Sequence, residues 1–391
     1  MNRRFYWYQT ILSIAMIAAG IFFLFSGHVR GDCSSFALGA ELGNSQNAQS
    51  AEAMPAFENA KTEPRALSGS LFDEISRWAK SSTDPQWLGY SVPANNNDRV
   101  TCCGNGDWNG NYNCGTCRLE DRKHGDNFST TSNKTELEAP RRIVILYRAN
   151  AGALSKIRVV SDGCTIDAGG LRVIWLTGVN PPQSVEYLSS LVRGQNLRDG
   201  GPEHLVQSAL TAIAMHGDAS ADQAMNSFVE PSQPESLRKQ TVFWLGEARR
   251  ASGFQTLKKL AKTETSTEVR SQITFALSLN HEPGALDEMI RMAREDESTH
   301  VRGQALFWLA QKAGRRAAST ITGAIENDPD TEVKKKAVFA LSQMPHEEGV
   351  PKLIQVAQNN KNPEVRKQAI FWLGQTNDPR ALEFFEKILT K

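Results

Sequence analysis

The sequence has almost no excess of either charge. Its 44 lysine and arginine residues stand against 43 aspartate and glutamate residues, which leaves a formal net charge of +1. From Glu203 onward the balance is 24 basic against 24 acidic residues, and the segment 203–234 has no lysine or arginine at all. Proteins that follow a phosphate backbone carry a basic patch or stripe. We therefore expect no nucleic-acid partner.

Recognisable catalytic arrangements are also absent. Residues 67–195, which we expect to form a small domain, contain no Ser-His-Asp set, no paired carboxylates and no phosphate-binding loop. Asp162 and Asp167 flank Cys164, but turn formation is the ordinary role of such acids. We therefore expect no enzyme, no catalytic residue, no metal and no cofactor. The alternative is an enzyme or a ligand-binding protein whose site lies between residues 87 and 170.

The segment from Phe5 to Phe25 contains no charged residue. As a helix with a rise of about 1.5 Å per residue, it would cross the hydrocarbon core of a bilayer, roughly 30 Å thick. The preceding Arg3 and Arg4 should stay inside, so the rest of the chain should be exported. Signals for cleavage are weak. We interpret residues 1–30 as a signal anchor of the inner membrane with periplasmic or extracellular domains, and a cleaved signal peptide with secretion is the alternative.

A tether and a small domain are predicted to follow this segment. Residues 31–66 lack apolar periodicity and become rich in Ala, Ser, Gln, Asn and Glu, which is typical of a disordered tether. Residues 67–195 show helical and strand-like patterns and are predicted to form an α+β domain. The expected elements are a helix at 71–79, strands at 143–148, 157–161 and 171–176, and a closing helix at 184–193.

Five cysteines fall in this small domain, and a sixth, Cys33, precedes it. In an exported protein their default state is the disulfide. The spacing Cys-Cys-x10-Cys-x2-Cys also allows zinc bound by four thiolates, although the side chains of adjacent cysteines point apart. The sequence does not determine which cysteines pair. The disulfide candidates are Cys102, Cys103, Cys114, Cys117 and Cys164.

The C-terminal half repeats itself at a fixed offset, which brings Val269, Val301, Val333 and Val365 into one column. A fixed period of this order is typical of a solenoid, in which each unit buries its apolar face against its neighbours. Each unit fits two short helices, so residues 203–391 are predicted to form an α-solenoid and the fold class is mainly α. The six helical hairpins are expected at 203–234, 235–266, 267–298, 299–330, 331–362 and 363–391.

Aromatic residues recur in two columns of this alignment. In the first, phenylalanine repeats from unit to unit; in the next, tryptophan alternates with alanine, so that the true period is a pair of units. We favour core packing of each tryptophan against a small residue of the next unit. A spaced aromatic ladder for a partner is the alternative. If Trp308 is buried, Trp308→Ala should cost about 3–5 kcal/mol. The columns comprise Phe243, Phe275, Phe307, Phe339 and Phe371, then Ala212, Trp244, Ala276, Trp308, Ala340 and Trp372.

Two polar columns accompany the aromatic ones. The basic column is expected to donate hydrogen bonds to carbonyls or acids of a neighbouring turn. The glutamine column lies on the outward side of the same helices and is the candidate interaction surface. The basic column is Arg238, Arg270, Arg302, Lys334 and Arg366, and the glutamine column is Gln240, Gln272, Gln304, Lys336 and Gln368.

The pattern from Asn362 to Ala381 resembles HEAT repeats of the short, phycobiliprotein-lyase-like type. The resemblance covers about half of the chain, from Glu203 to the end. It implies an α-solenoid that binds other proteins along a groove. The small domain, through Gly89–Pro93 and Asp167–Gly170, resembles the N-terminal part of exported bacterial HEAT-repeat proteins, and this resemblance implies no activity.

Two enzyme families share the repeat. Deoxyhypusine hydroxylases hold iron with His-Glu pairs directly after the basic column, where this sequence has Ser271-Gln272 and Gly303-Gln304. Bilin lyases act on a cytoplasmic pigment protein, which conflicts with an export signal. The sequence therefore favours an extracytoplasmic, membrane-tethered scaffold that binds protein partners, with self-association left open.

Overall fold

The computed structural model describes residues 54–95, 116–120, 141–194, 203–313 and 315–390. The predicted signal segment and most of the predicted tether lie outside these residues. Among the helices described, none has both the length and the apolar character that a membrane crossing requires. The described chain forms two compact units, one within residues 54–91 and 116–179 and the other comprising residues 92–95 and those from 180 onward.

The first unit is built on two sheets and one helix. The five-stranded sheet has the order β2-β8-β3-β5-β6, and the three-stranded sheet has the order β1-β7-β4. β8 runs parallel to both β2 and β3, whereas β5 and β6 form an antiparallel hairpin. The elements are β1 Phe57–Glu58, β2 Lys61–Ala66, α1 Leu71–Ser81, β3 Gln86–Pro93, β4 Thr116–Arg118, β5 Arg142–Asn150, β6 Ala153–Ser161, β7 Thr165–Asp167 and β8 Arg172–Thr177.

The predicted helix and all three predicted strands of this unit are present. These elements could be predicted because each has its apolar pattern within one short segment. In α1, Leu71, Ile75 and Trp78 share the buried face. A tight turn joins β5 and β6. Ala151 and Gly152 both have positive φ, at 49° and 77°, as a two-residue turn between twisted strands requires.

The prediction of a disordered tether up to residue 66 is wrong for its last part. Lys61–Ala66 forms β2 and pairs in parallel with Arg172–Thr177 along its whole length. Phe57 pairs with Ile166 in the other sheet. These short polar strands gain their backbone hydrogen bonds from a distant segment, and composition alone does not reveal such a partner.

The core of the first unit is aromatic and aliphatic. Trp87 and Trp175 are almost fully buried and belong to one cluster with aliphatic residues of β5 and β6 and with Cys117. Cys117 and Cys164 are buried, and each takes part in a disulfide. The other predicted disulfide candidates, Cys102, Cys103 and Cys114, lie outside the described residues.

The second unit contains the predicted helical hairpins. The described helices from residue 203 onward pair as six hairpins at the predicted units. Preceding them, α2 (Pro181–Val192) packs against the first helix of the array and groups with it, whereas the sequence placed it at the end of the α+β domain. The hairpins are α3 Glu203–Met215 with α4 Ala219–Phe228, α5 Glu235–Ala248 with α6 Arg250–Thr263, α7 Thr267–Leu279 with α8 Pro283–Glu295, α9 Thr299–Ala313 with α10 Arg315–Asn327, α11 Thr331–Ser342 with α12 His346–Asn359, and α13 Pro363–Leu373 with α14 Pro379–Leu389.

The two helices of each hairpin lie in different layers. Neighbouring first helices contact each other far more extensively than neighbouring second helices do. The close approach shows at Gly246 of α5, where a Cβ atom would lie 2.2 Å from the carbonyl oxygen of Ala276 in α7. We call the exposed side of the layer formed by α5, α7, α9, α11 and α13 the first-helix face.

Both helices of the last hairpin begin at a side-chain cap. The Asn362 side chain accepts a hydrogen bond from the backbone N–H of Glu364, and Asp378 accepts one from Arg380. Some of the apolar residues of α14 are exposed. Leu382 and Leu389 are 61% and 83% exposed, because no further repeat covers this helix in the described chain.

Candidate functional site

An unbroken series of aromatic rings runs along the first-helix face. Phenylalanine is the ninth residue of each of these helices, and tryptophan is the tenth residue of α5, α9 and α13. Each ring is 4.5–6.1 Å, centroid to centroid, from the next. The order of contact is Trp244, Phe243, Phe275, Trp308, Phe307, Phe339, Trp372 and Phe371, and we call this series the aromatic ladder.

The aromatic ladder is partly exposed. Seven of its rings belong to half-buried residues, and Phe371 is 51% exposed. The small residues that alternate with tryptophan, Ala212, Ala276 and Ala340, are fully buried. The preferred prediction, that the tryptophans fill the core, is therefore wrong in part, because each of them is half-buried and not fully buried. The position lies at the edge of the apolar arc of the helix, where alanine is covered by its neighbours but an indole extends beyond them.

Trp308 and Trp372 each pack on a phenylalanine of the preceding hairpin. Trp308 lies 4.5 Å from Phe275, and Trp372 lies 4.9 Å from Phe339. The phenylalanines themselves stack across the other boundaries, with 6° between the planes of Phe307 and Phe339. Offset and tilted ring pairs at such distances are favourable. The alternative, a ladder of three spaced tryptophans, is met only in part, because phenylalanines join the half-buried tryptophans into one continuous series.

The predicted glutamine column borders the aromatic ladder. Gln240, Gln272, Gln304 and Gln368 are half-buried and stand three residues before each phenylalanine, which places them on the same side of the helix. Amide groups can both donate and accept hydrogen bonds. The first-helix face thus offers stacked apolar rings beside a row of amides.

Lys336 replaces glutamine in this column and is held against its neighbour. A Cβ atom on Gly303 would lie 2.3 Å from Cδ of Lys336, so the lysine stem covers the glycine. Burial lowers the pKa of Lys336, while Glu332 and Asp330 act in the opposite direction. His300, on the same helix as Gly303, hydrogen-bonds Ser271, and burial followed by the charge of Lys336 lowers its pKa.

The predicted basic column is structural. Arg270 binds Asp296 through two nitrogens and donates to the carbonyls of Glu264 and Thr265. Arg302 repeats this arrangement with Asp328. Arg366 donates to the carbonyls of Asn360 and Lys361, and Arg238 binds Glu264. Each arginine thus ties its own hairpin to the end of the preceding one or to its own second helix, as the sequence predicted.

Sequence reasoning missed the partners of these arginines. Glu264, Asp296 and Asp328 form an acidic column with the same period as the arginines, and Asn360 continues it. Each of these side chains also accepts a hydrogen bond from the backbone N–H of the residue two positions later, at the start of the next hairpin. The period was a usable signal, because an acid that recurs in step with a buried arginine indicates an internal ion pair.

The first unit has a polar pocket of about 220 Å³, lined by Arg65, Glu74, Arg77 and Arg172 among others. Its carboxylate is already paired, because Glu74 accepts hydrogen bonds from both Arg65 and Arg77. Glu63, which binds Arg172 and Arg65, has a lowered pKa for the same reason. Within the described residues, no group of three or more histidine, cysteine, aspartate or glutamate side chains is arranged to hold a metal ion.

One comparison with known protein families agrees with the helical array. A family model described as HEAT repeats matches residues 318–391. The comparison with curated proteins gives no match. Among solved structures, the chain is similar to human deoxyhypusine hydroxylase in complex with glycerol at 18% identity and a TM-score of 0.28, covering 53% of this chain and 90% of that one.

Two further solved structures show similar values. The Escherichia coli protein YibA is 20% identical with a TM-score of 0.34, covering 55% of this chain and 82% of that one. A chain of the CpcE–CpcF complex of phycocyanin lyase from Nostoc sp. PCC7120 is 14% identical with a TM-score of 0.26, covering 52% of this chain and 80% of that one. No statement about activity rests on these likenesses.

Proposed function

We propose that this protein is an exported bacterial HEAT-repeat scaffold, tethered to the membrane by its N-terminal segment, that binds another protein along the first-helix face. The observation that carries the proposal is the aromatic ladder. Its rings remain partly exposed, whereas the alanines that alternate with the tryptophans are fully buried. Partly exposed aromatic groups beside hydrogen-bonding amides are the composition that protein interfaces favour.

The charge of this face supports a protein partner. The array is neutral as a whole, so non-specific attraction to a polyanion contributes little. The arginines of the basic column are engaged internally, and their fixed geometry keeps the first helices in register beneath the rings. A rigid, repeated surface of this kind lowers the entropy cost of binding.

Site-specific photo-crosslinking tests the interaction surface. Benzoylphenylalanine placed at Gln272 or Gln304 should yield the same discrete adduct in intact cells. The matched controls are Gln255 and Gln355, exposed glutamines of the second helices α6 and α12. Adducts that form equally from both sets, or from neither, would contradict binding at the first-helix face.

Export requires its own test, since it rests on the sequence of residues 1–30. Alkaline phosphatase joined after residue 66 should be active, because the enzyme matures outside the cytoplasm. Deleting residues 5–25 should abolish that activity. An active fusion after the deletion, or an inactive one before it, would contradict export.

The cysteines provide a second test of the compartment. We propose that the remaining cysteines, Cys33, Cys102, Cys103 and Cys114, are also oxidised in the exported protein, in which Cys117 and Cys164 are each disulfide-bonded. Intact mass with and without reduction, after alkylation, should show two or more disulfides, and metal analysis should find no zinc. Stoichiometric zinc with free thiols would support the alternative of a metal site between residues 87 and 170.

A further inference from the structure

A pocket of about 180 Å³ opens at the end of the aromatic ladder, between the fifth and sixth hairpins. Trp372 of the ladder forms part of its wall, and the indole Nε1 is buried without a hydrogen-bond partner among the described residues. The polar residues around it are Ser342, Gln343, His346, Gln375 and Thr376. Its lining residues include no lysine or arginine.

The corresponding place one double repeat earlier is occupied by a cation of the chain itself. The double repeat aligns Trp308 with Trp372, Asn280 with Met344 and Lys312 with Thr376. The ammonium group of Lys312 donates a hydrogen bond to the carbonyl oxygen of Asn280, although the residue as a whole is exposed.

In the first double repeat, a different basic residue donates to the carbonyls at the end of the first helix. The same alignment, taken one step further back, matches His216 with Asn280. Arg249 donates from one nitrogen to the carbonyls of His216 and Ala214. In both cases the acceptors are carbonyls at the C-terminal end of a first helix, where the helix dipole is negative and backbone acceptors lack intrahelical partners.

The third double repeat lacks an equivalent cation. Thr376 and Asn377 stand where Lys312 and Arg249 stand in the earlier ones, and Met344, at the end of the helix, lines the pocket. Arg380 lies outside the lining and is engaged by Asp378, Glu347 and the carbonyl of His346. Among the described residues, none with a lysine or arginine side chain lines the pocket, whereas the Trp372 indole remains part of its wall.

We propose that this pocket binds a lysine or arginine side chain of the protein partner, which takes the place that the chain's own cation fills in the two earlier double repeats. The ammonium or guanidinium group would donate to carbonyls at the end of α11, and its aliphatic stem would lie against the Trp372 indole that forms part of the wall. This inference rests on the proposed function, because it names the chemistry of the same partner.

Fluorine NMR of the full chain labelled with 5-fluorotryptophan tests the proposal. The probes are Nα-acetyl-lysine methylamide and Nα-acetyl-arginine methylamide, and the neutral control is Nα-acetyl-norleucine methylamide. The Trp372 signal, assigned with Trp372→Phe, should shift saturably with the cationic probes, while those of Trp244 and Trp308 should not. An equal response to norleucine, or no response to any probe, would overturn the proposal.

Two variants exchange the features of the third and second double repeats. Thr376→Lys supplies the missing internal cation and should weaken the binding of the probes about tenfold or more, since the lost hydrogen bond involves a charged group. Lys312→Thr should open the corresponding site, so that the Trp308 signal responds as well. Unchanged Trp244 and Trp308 signals in Thr376→Lys serve as the check that the array is folded.

The outcomes separate this inference from the proposed function. Crosslinking from Gln272 and Gln304 without probe binding at Trp372 would overturn the cation pocket and leave the scaffold standing. Probe binding at Trp372 without specific crosslinking would overturn the scaffold and leave the cation pocket standing. Probe binding that is insensitive to Thr376→Lys would also overturn the assignment of the pocket.

Discussion

Phe275 and Trp308 face each other across the boundary between two successive hairpins, with ring centroids 4.5 Å apart and planes inclined by 35°. Such a pair should contribute about 0.5–1.5 kcal/mol beyond the burial of its area. We predict that Phe275→Leu and Trp308→Leu, combined in a double-mutant cycle, show a coupling of this size in urea denaturation. The pair Phe243 and Phe339, which do not contact each other along the ladder, is the control and should be additive within about 0.5 kcal/mol. Additivity at Phe275 and Trp308 would show that the contact is incidental.

The buried ion pair of Arg302 and Asp328 gives a second prediction. Their side chains are 9% and 6% exposed, so Asp328→Ala leaves a buried guanidinium without its counter-ion. We expect a loss of about 3–5 kcal/mol in the free energy of unfolding. Asp287→Ala removes the acid of the exposed pair with Arg316 and should cost at most about 1 kcal/mol. Equal losses in thermal denaturation would contradict the role assigned to the basic column.

Two glycines in helices should respond in opposite ways to alanine. In Gly246→Ala, the added Cβ would meet the backbone of Ala276 at 2.2 Å, so α5 and α7 must separate and the array should be destabilised. In Gly323→Ala, nothing lies within 4 Å of the added atom, and the higher helix propensity of alanine should stabilise α10 by up to about 1 kcal/mol. The two melting temperatures, measured against wild type, should move in opposite directions.

His216 is fully buried, and its Nδ1 accepts a hydrogen bond from the backbone N–H of Asp218. Burial lowers its pKa from 6.5 to about 4; the charge of Arg249 acts in the same direction and that of Asp218 opposes it. Between these two values the unfolded chain binds a proton that the folded chain does not. The free energy of unfolding should therefore fall as pH decreases below about 6.5 and level off below about 4.

The measurement compares wild type with His216→Asn from pH 8 to pH 4. At pH 8 neither state of the wild type binds this proton, so the difference between the proteins there reports packing alone. On acidification the wild type should lose up to about 3 kcal/mol relative to the variant. Parallel curves would contradict the burial of a neutral imidazole.

The repeat period was enough to predict the helical array. A fixed offset between units determines which positions are equivalent, and the polar caps at Asn362 and Asp378 determine where helices begin. It does not determine how exposed an equivalent position is. Trp308 and Ala276 share a column, yet the alanine is fully buried and the tryptophan is half-buried, because exposure depends on side-chain size as well as on how closely neighbouring helices approach.

The small unit was harder to predict because its contacts join distant segments. β2 has no apolar alternation and is held through its backbone by β8, which follows it only after most of the unit has been traversed. The pocket beside Trp372 was likewise invisible in the sequence. The sequence shows that Thr376 aligns with Lys312, but not that Lys312 donates a hydrogen bond to the carbonyl of Asn280. That contact is needed to recognise what Thr376 does not supply.

The alternation of tryptophan and alanine along the first helices sets the step by which this array can lengthen or shorten. Excision of residues 267–298 would place Trp308 next to the hairpin of Trp244, so that two tryptophan-bearing first helices become neighbours, which occurs at no boundary between the described hairpins. Excision of two successive hairpins restores an alanine-bearing helix next to the hairpin of Trp244. We therefore expect natural variants to gain or lose hairpins in pairs. A chain from which an odd number of hairpins is removed should pack poorly at the new boundary between first helices.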